Sequence, residues 1–217
     1  MLEVNIVKKL NRFTLKADLC ISNETVALFG SSGSGKSMTL KCIAGIETPD
    51  SGRIILNDRV LFDSDKKINV IPQKRKVGYM FQDYALFQNM TVRENVAAGV
   101  TGGLTVRSQM TKKEISEEID FYLNKFKLKD IENEYPGRLS GGQKQRCALA
   151  RMLAAKPEVI LLDEPFSSLD YDLKDEMIEN MLDVLKTEDK PALFVSHNRD
   201  EVNAVCNKII YIKDGET

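Results

Sequence analysis

Eight consecutive residues, Gly30-Ser31-Ser32-Gly33-Ser34-Gly35-Lys36-Ser37, interleave glycine and serine and end on a lysine and a hydroxyl. Glycine lets a backbone wrap a phosphate without Cβ obstruction, so the amides of Gly33 through Met38 can point inward at an anion. A helix starting there would add the favourable end of its dipole. Lys36 supplies a full charge suited to β/γ-phosphates. Ser37 offers a hydroxyl suited to Mg²⁺, which keeps several waters and bridges phosphate oxygens. The bland alternative is a Gly/Ser-rich turn.

A second run, Val159-Ile160-Leu161-Leu162-Asp163-Glu164-Pro165, is apolar up to two adjacent carboxylates. Burial of a strand explains the apolar run but not the acids, which would lie where α/β sheets present ligands. Asp163 can hold the magnesium shell, and Glu164 can accept a proton from, or orient, an attacking water. A third run, Leu139-Ser140-Gly141-Gly142-Gln143, has capping-box spacing between Ser140 and Gln143, with two glycines leaving a helix N-terminus bare enough for a phosphate to approach. A plain helix cap is the competing reading.

The elements that must position these groups follow from periodicity. Short β-branched apolar runs at Glu24–Phe29, Arg53–Asn57, Val77–Phe81, Val159–Asp163, Ala192–Ser196 and Lys208–Lys213 alternate, in the later half, with helix-like segments, which predicts an α/β sheet. The first of them precedes the glycine-rich loop and Met38–Ala44 follows it in helical pattern, the strand–loop–helix context a P-loop needs. Met1–Lys8 and Phe13–Ile21 read as an antiparallel pair turning near Leu10-Asn11-Arg12, so the fold is mixed rather than purely parallel. Thr111 to Leu128 has helical spacing and a capping box from Thr111 and Glu114; Asp170 to Leu185 is a second amphipathic helix. Thr101-Gly102-Gly103 reads as a loop.

Composition narrows the class. With 31 basic and 32 acidic residues interspersed, no field of one sign points to nucleic acid. No window reaches the roughly 18 apolar residues of a membrane span, and the start lacks a secretory pattern, so a cytosolic protein is expected. Cys20, Cys42, Cys147 and Cys206 lack paired spacing and are expected to be buried thiols. One domain over 1–217 is expected, with a core at about 1–85 and 156–217 and a helical subdomain at about 86–155.

A P-loop and an acidic strand end occur in GTPases, kinases and helicases alike. Leu139-Ser140-Gly141-Gly142-Gln143 selects among them, because it resembles the signature sequence of ATP-binding-cassette proteins at all five positions. The resemblance runs on through Gln82 after its strand, Ser167-Ser168-Leu169-Asp170 after the acidic pair, and His197 after Ala192–Ser196. A lone histidine is ordinarily structural, and its place in this order makes His197 a site residue. The fold implied is a P-loop NTPase core with a mixed sheet, an N-terminal antiparallel β layer and an inserted helical subdomain.

The resemblance implies an ATPase using Mg²⁺. It makes Glu164, His197 and Gln82 catalytic and assigns Ser37, Gln82 and Asp163 to the metal. Gly30 to Met38 would hold the phosphates. Ser140 to Gln143 and Asp170 would act across a head-to-tail homodimer closed by ATP. Phe13 is the available aromatic for stacking on adenine, or else core. Met38 stands where the family commonly has threonine, and Gln88 where it has proline. The stretch Pro72 to Phe87 looks like the ATPase subunits of bacterial oxyanion, polyamine and sugar importers, most of all the molybdate and sulfate branch. That implies membrane permease subunits gripping an exposed aromatic patch at Gln82, Tyr84, Leu86 and Phe87, a solute-binding protein engaged indirectly, and a place on the inner face of the cell membrane. Chromosome-maintenance relatives carry a long coiled coil between the Gln82 and Ser140 regions, and translation-associated ones carry two cassettes; neither is present. Many importers of this kind continue into a regulatory β domain, whereas this sequence stops at Thr217, so it is expected to be a short member or a shortened chain.

Overall fold

The computed structural model describes residues 1–102, 110–167 and 171–217. The first hairpin forms as its alternation predicts. In β2 (Thr14–Ile21) Leu15, Ala17, Leu19 and Ile21 are buried, while Lys16, Asp18 and Cys20 face solvent. Cys20 is therefore exposed, not a buried thiol, because it falls on the outer parity of its strand. β1 (Leu2–Lys9) pairs antiparallel with β2, and β4 (Ser51–Leu56), β5 (Arg59–Asp63) and β6 (Ile68–Asn69) complete a five-stranded antiparallel sheet in the order β2-β1-β4-β5-β6.

The second sheet has the order β10-β3-β9-β8-β7, from β3 (Thr25–Phe29), β7 (Val77–Met80), β8 (Val159–Asp163), β9 (Ala192–Val195) and β10 (Lys208–Tyr211). Its β10, β3, β9 and β8 run parallel. All five residues of β8 and all four of β9 are buried, the signature of a sheet covered on both faces. The helices are α1 (Lys36–Ala44), α2 (Val92–Gly102), α3 (Lys112–Lys125), α4 (Gly141–Ala154), α5 (Tyr171–Glu188) and α6 (Arg199–Val205). The architecture is α/β with an antiparallel layer, as the residue patterns indicate.

The chain forms two compact units. One comprises 1–79, 158–164 and 178–217, the other 80–157 and 165–177. The first unit's core joins Leu2, Val4 and Leu15 of the antiparallel sheet to Leu40 and Ile43 of α1 and to Val26, Leu28, Val159, Leu161, Leu193 and Val195 of the parallel sheet. In the second unit α3 opens on the Thr111–Glu114 capping box. Thr101 and Gly102, read above as loop, are the last residues of α2. That helix packs on α4 through Gly99, where a Cβ would lie 2.1 Å from the Arg151 carbonyl oxygen. Close backbone approach has outweighed the low helix propensity of glycine.

α1 ends at Gly45 in a left-handed turn (φ 79°), and Arg75 closes it. The Arg75 side chain is wholly buried, donating to the carbonyls of Val70 (2.7 Å), Cys42 and Ile43 (both 2.8 Å) and to Asn69 Oδ1 (2.8 Å). A cation at a helix C-terminus complements the dipole, and here it also satisfies two terminal carbonyls. Arg75→Met should lower unfolding free energy by about 3 kcal/mol, mostly through carbonyls left unpaired; denaturant titration checks this.

Arg93 bridges α3 and the turn after it, contacting Asp120 (2.8 Å) and Glu132 (2.6 Å), with Lys129 also on Asp120. The Arg93 hydrogen bond, followed by that of Lys129, holds the Asp120 carboxyl down at about 2, against an ordinary 3.8. A depressed carboxylate stabilises the fold above its unfolded value and loses that contribution as pH falls through the folded one. The Asp120→Asn variant should therefore melt slightly below the unaltered chain at pH 7, and the gap should close between pH 4 and pH 2. Partial exposure keeps the gap small and sensitive to salt.

Candidate functional site

Parity along β8 builds the site. Val159 and Leu161 join the core shared with α1, and Asp163, two residues on, continues that face. The Ser37 hydroxyl, in the first turn of α1, donates to Asp163 Oδ1 at 2.8 Å. Tyr79, on β7 at the neighbouring edge, donates its hydroxyl to Asp163 Oδ2 at 2.8 Å. Burial, with the adjacent carboxylate, pushes the Tyr79 hydroxyl well above the usual phenol range, so it stays a donor.

The loop before α1 is built to leave amides open. Gly33 (φ 79°) and Gly35 (φ 108°) are both left-handed, and Gly35 caps α1 with no side-chain hydrogen bond. The first-turn amides of α1 have no acceptor within the helix. Lys36 is buried, and its Nζ donates to the carbonyls of Gly30 (2.9 Å) and Ser31 (2.8 Å). Burial lowers its pKa, while the charges of Glu164 and then Asp163 pull it back up. The buried Ser34 hydroxyl has no hydrogen-bond partner. Ser31, Ser32 and Gly33 are exposed at the loop's tip, and Met38 is half-buried in the helix behind it. An unsatisfied hydroxyl, an uncapped helix start and a buried ammonium resting on carbonyls together fit a phosphate chain. Ser37 and Asp163, converging oxygen donors, fit Mg²⁺.

Glu164 turns out of β8 at φ 47°, a left-handed conformation unusual for a residue with a Cβ, and its amide is held by the Val195 carbonyl at 2.9 Å. His197 Nδ1 lies 3.2 Å from Glu164 Oε2. The histidine is exposed, and Ser196 steadies its loop. The Ser196 hydroxyl donates to buried Glu201 Oε2 (2.6 Å) and accepts from the Asn198 amide (2.9 Å). Phe13 borders the loop, its ring 3.6 Å from where a Gly35 Cβ would sit.

Gly30 to Met38, Phe13, Asp163, Glu164 and His197 thus come together in the first unit. Ser140, Gly141, Gly142 and Gln143 belong to the second unit, where Ser140 and Gln143 form the expected reciprocal cap on α4. A Cβ at Gly142 would meet Met177 Sδ only at 3.5 Å, so packing among the described residues does not demand that glycine. Gln82 is exposed in the same unit, and Asp170 lies outside the described residues. The supposed aromatic patch is corrected: Tyr84 and Leu86 are buried, with Tyr84 donating to the Pro165 carbonyl (3.4 Å), and only Gln82 and Phe87 are exposed. Left-handed φ values at Tyr84 (63°) and Ala85 (43°) turn Tyr84 inward. Tyr79, Ser196 and Glu201 escaped sequence reading. Tyr79 had one available signal, the two-residue spacing from Val77 on a predicted strand, which gives no neighbour for its hydroxyl.

A glycine-rich loop between β3 and α1, and paired acids at the end of β8, a parallel strand of the same sheet one strand removed from β3, define a P-loop protein. The family model described as ABC transporter matches residues 16–167, and the chain belongs to that family. It is 36% identical over its whole length to the molybdenum import ATP-binding protein ModC of Rhodospirillum rubrum, covering 56% of that protein. It is 38% identical over 98% of its length to the sulfate/thiosulfate import ATP-binding protein CysA of Synechocystis, covering 58%. The chain thus spans little more than half the length of these relatives. A dimeric ATP-binding cassette solved in a post-hydrolysis state with ADP and Pi superposes with a TM-score of 0.81 at 28% identity, over 100% of this chain and 96% of that one.

Gly35→Ala places a Cβ 2.8 Å from Leu15 Cδ1 in a left-handed residue. It should cost about 2 kcal/mol of stability and weaken binding of a nucleoside triphosphate more than tenfold, roughly the loss of one charge-assisted contact. Paired melting and fluorescent-nucleotide titration check both.

Proposed function

We propose that this chain is the ATP-hydrolysing subunit of an importer. The observation that carries the reading is the convergence at the end of β8, where Asp163 meets Ser37 and Glu164 meets His197 beside a buried Lys36. The amides of Gly33 to Met38, with Lys36, bind the β- and γ-phosphates, and Phe13, partly buried against the core beside the loop, would be the aromatic for adenine. Ser37 and Asp163 would hold Mg²⁺, which would supply charge neutralisation of the phosphate oxygens. Glu164 takes the proton of the water that attacks the γ-phosphorus, as the bond to the bridging β–γ oxygen breaks and ADP leaves. His197 holds the Glu164 carboxylate toward that water.

Two copies would close head to tail on two ATP molecules, Ser140 to Gln143 of each meeting the γ-phosphate held by the other, with Asp170 at the seam. The dimeric state of the similar solved cassette supports this. Glu164→Gln should bind ATP normally, turn over roughly 10²–10⁴-fold more slowly, and run as a dimer in ATP and a monomer in ADP by light scattering. Near-normal turnover would contradict Glu164 as the base.

The import functions of these relatives support an oxyanion as the solute, molybdate or tungstate first and sulfate second. No helix among the described residues is long and apolar enough to cross a membrane, so permease subunits would carry the path. The chain would dock on them from the cytoplasmic side near exposed Gln82 and Phe87, with a solute-binding protein engaged only through them. In cells with this gene as the sole copy, Lys36→Ala should abolish molybdate accumulation and leave sulfate uptake intact. Unchanged accumulation of both would refute the oxyanion assignment.

A further inference from the structure

We infer that Tyr79 is a positioning residue for the cation site, fixing the rotation of the Asp163 carboxylate so that Oδ1 is kept for Ser37 and for the metal those two would hold. This rests on the nucleotide–magnesium reading above. Each oxygen of Asp163 has its own donor at 2.8 Å, Ser37 on Oδ1 and Tyr79 on Oδ2. A carboxylate turns readily about its last torsion, whose well is broad and two-fold. One donor would leave either oxygen free to take it; two donors on different elements, α1 and β7, select a single rotation.

Tyr79 suits that task. Its strand lies next to β8 in the sheet, and its ring is half-buried against the core that includes Val159 and Leu161. A tyrosine has two side-chain torsions and a rigid ring, so packing of the ring fixes where the hydroxyl points. The hydroxyl meets the oxygen remote from Ser37, which leaves the Ser37-facing oxygen for coordination. Ligating carboxylates held by an outer hydrogen bond keep orientation and affinity through it, and loss of such a partner commonly costs 10–100-fold in metal affinity. A hydroxyl that merely satisfied a buried carboxylate would affect stability without regard to metal.

Tyr79→Phe keeps the ring and removes the hydroxyl. Mn²⁺ replaces Mg²⁺, so that free ion can be counted by electron paramagnetic resonance in the presence of ADP, and ADP affinity is titrated separately in excess chelator. Mn²⁺ affinity of the ADP complex should fall roughly tenfold or more, with ADP affinity in chelator unchanged. In an Asp163→Asn background the same substitution should have no further effect, as expected for groups acting through one contact. Unchanged Mn²⁺ affinity in Tyr79→Phe, an equal loss with and without metal, or full additivity with Asp163→Asn would overturn the assignment. Failure of the unaltered chain to bind Mn²⁺ with ADP would instead overturn the nucleotide reading, and this one with it.

Discussion

Lys36 carries a positive charge into a place where burial has removed most of its water, and its nearest partners are two backbone carbonyls, not an anion. Desolvation of an ammonium is expensive unless opposite charge is near. Glu164 and Asp163 supply part of that compensation, and they are themselves crowded at one strand end. A triphosphate would offer the lysine the anion it lacks, while a cation held by Ser37 and Asp163 would offset the carboxylates. The site is thus a set of like and unlike charges whose balance is completed by what it binds.

The fold exists to hold that balance. α1 is fixed at its C-terminus by Arg75, whose guanidinium grips Cys42 and Ile43, and at its N-terminus it is left open. A helix anchored at one end presents its first-turn amides and Ser37 without needing a side-chain cap there. The parallel strands then bring Asp163 and Glu164 out of β8 and His197 out of β9, adjacent strands with Asp163 opposite Val195. Strain at Glu164 (φ 47°) is tolerated because Val195 binds its amide.

The sequence made the glycine-rich loop legible because a lysine and hydroxyl after glycines, between a strand and a helix, have few structural uses. The apolar run ending in two acids was legible for the same reason, whereas which face of β8 carries Asp163 emerged only from packing, since every residue of that strand is buried. Other features depended on tertiary contacts that spacing does not encode. α2 hid behind Gly99 and a terminal Thr101-Gly102, residues that suggest a loop until α4 is packed against them. Tyr84 and Leu86 looked like a surface patch because left-handed turns at Tyr84 and Ala85 leave no residue signature without glycine. Arg75 read as one more basic residue in a charged stretch, and only its four acceptors show it as the clamp on α1.

If Lys36 and the open amides of α1 form a phosphate-chain site, affinity must depend on phosphates beyond the first. Calorimetric titration of the unaltered chain with AMP, ADP and ATP, each with Mg²⁺, measures that dependence directly. ADP and ATP binding at least about a hundredfold more tightly than AMP is the expected result, given roughly 1.5–3 kcal/mol for each hydrogen bond to a charged group. Equal affinity for all three, or no binding of any, would contradict it.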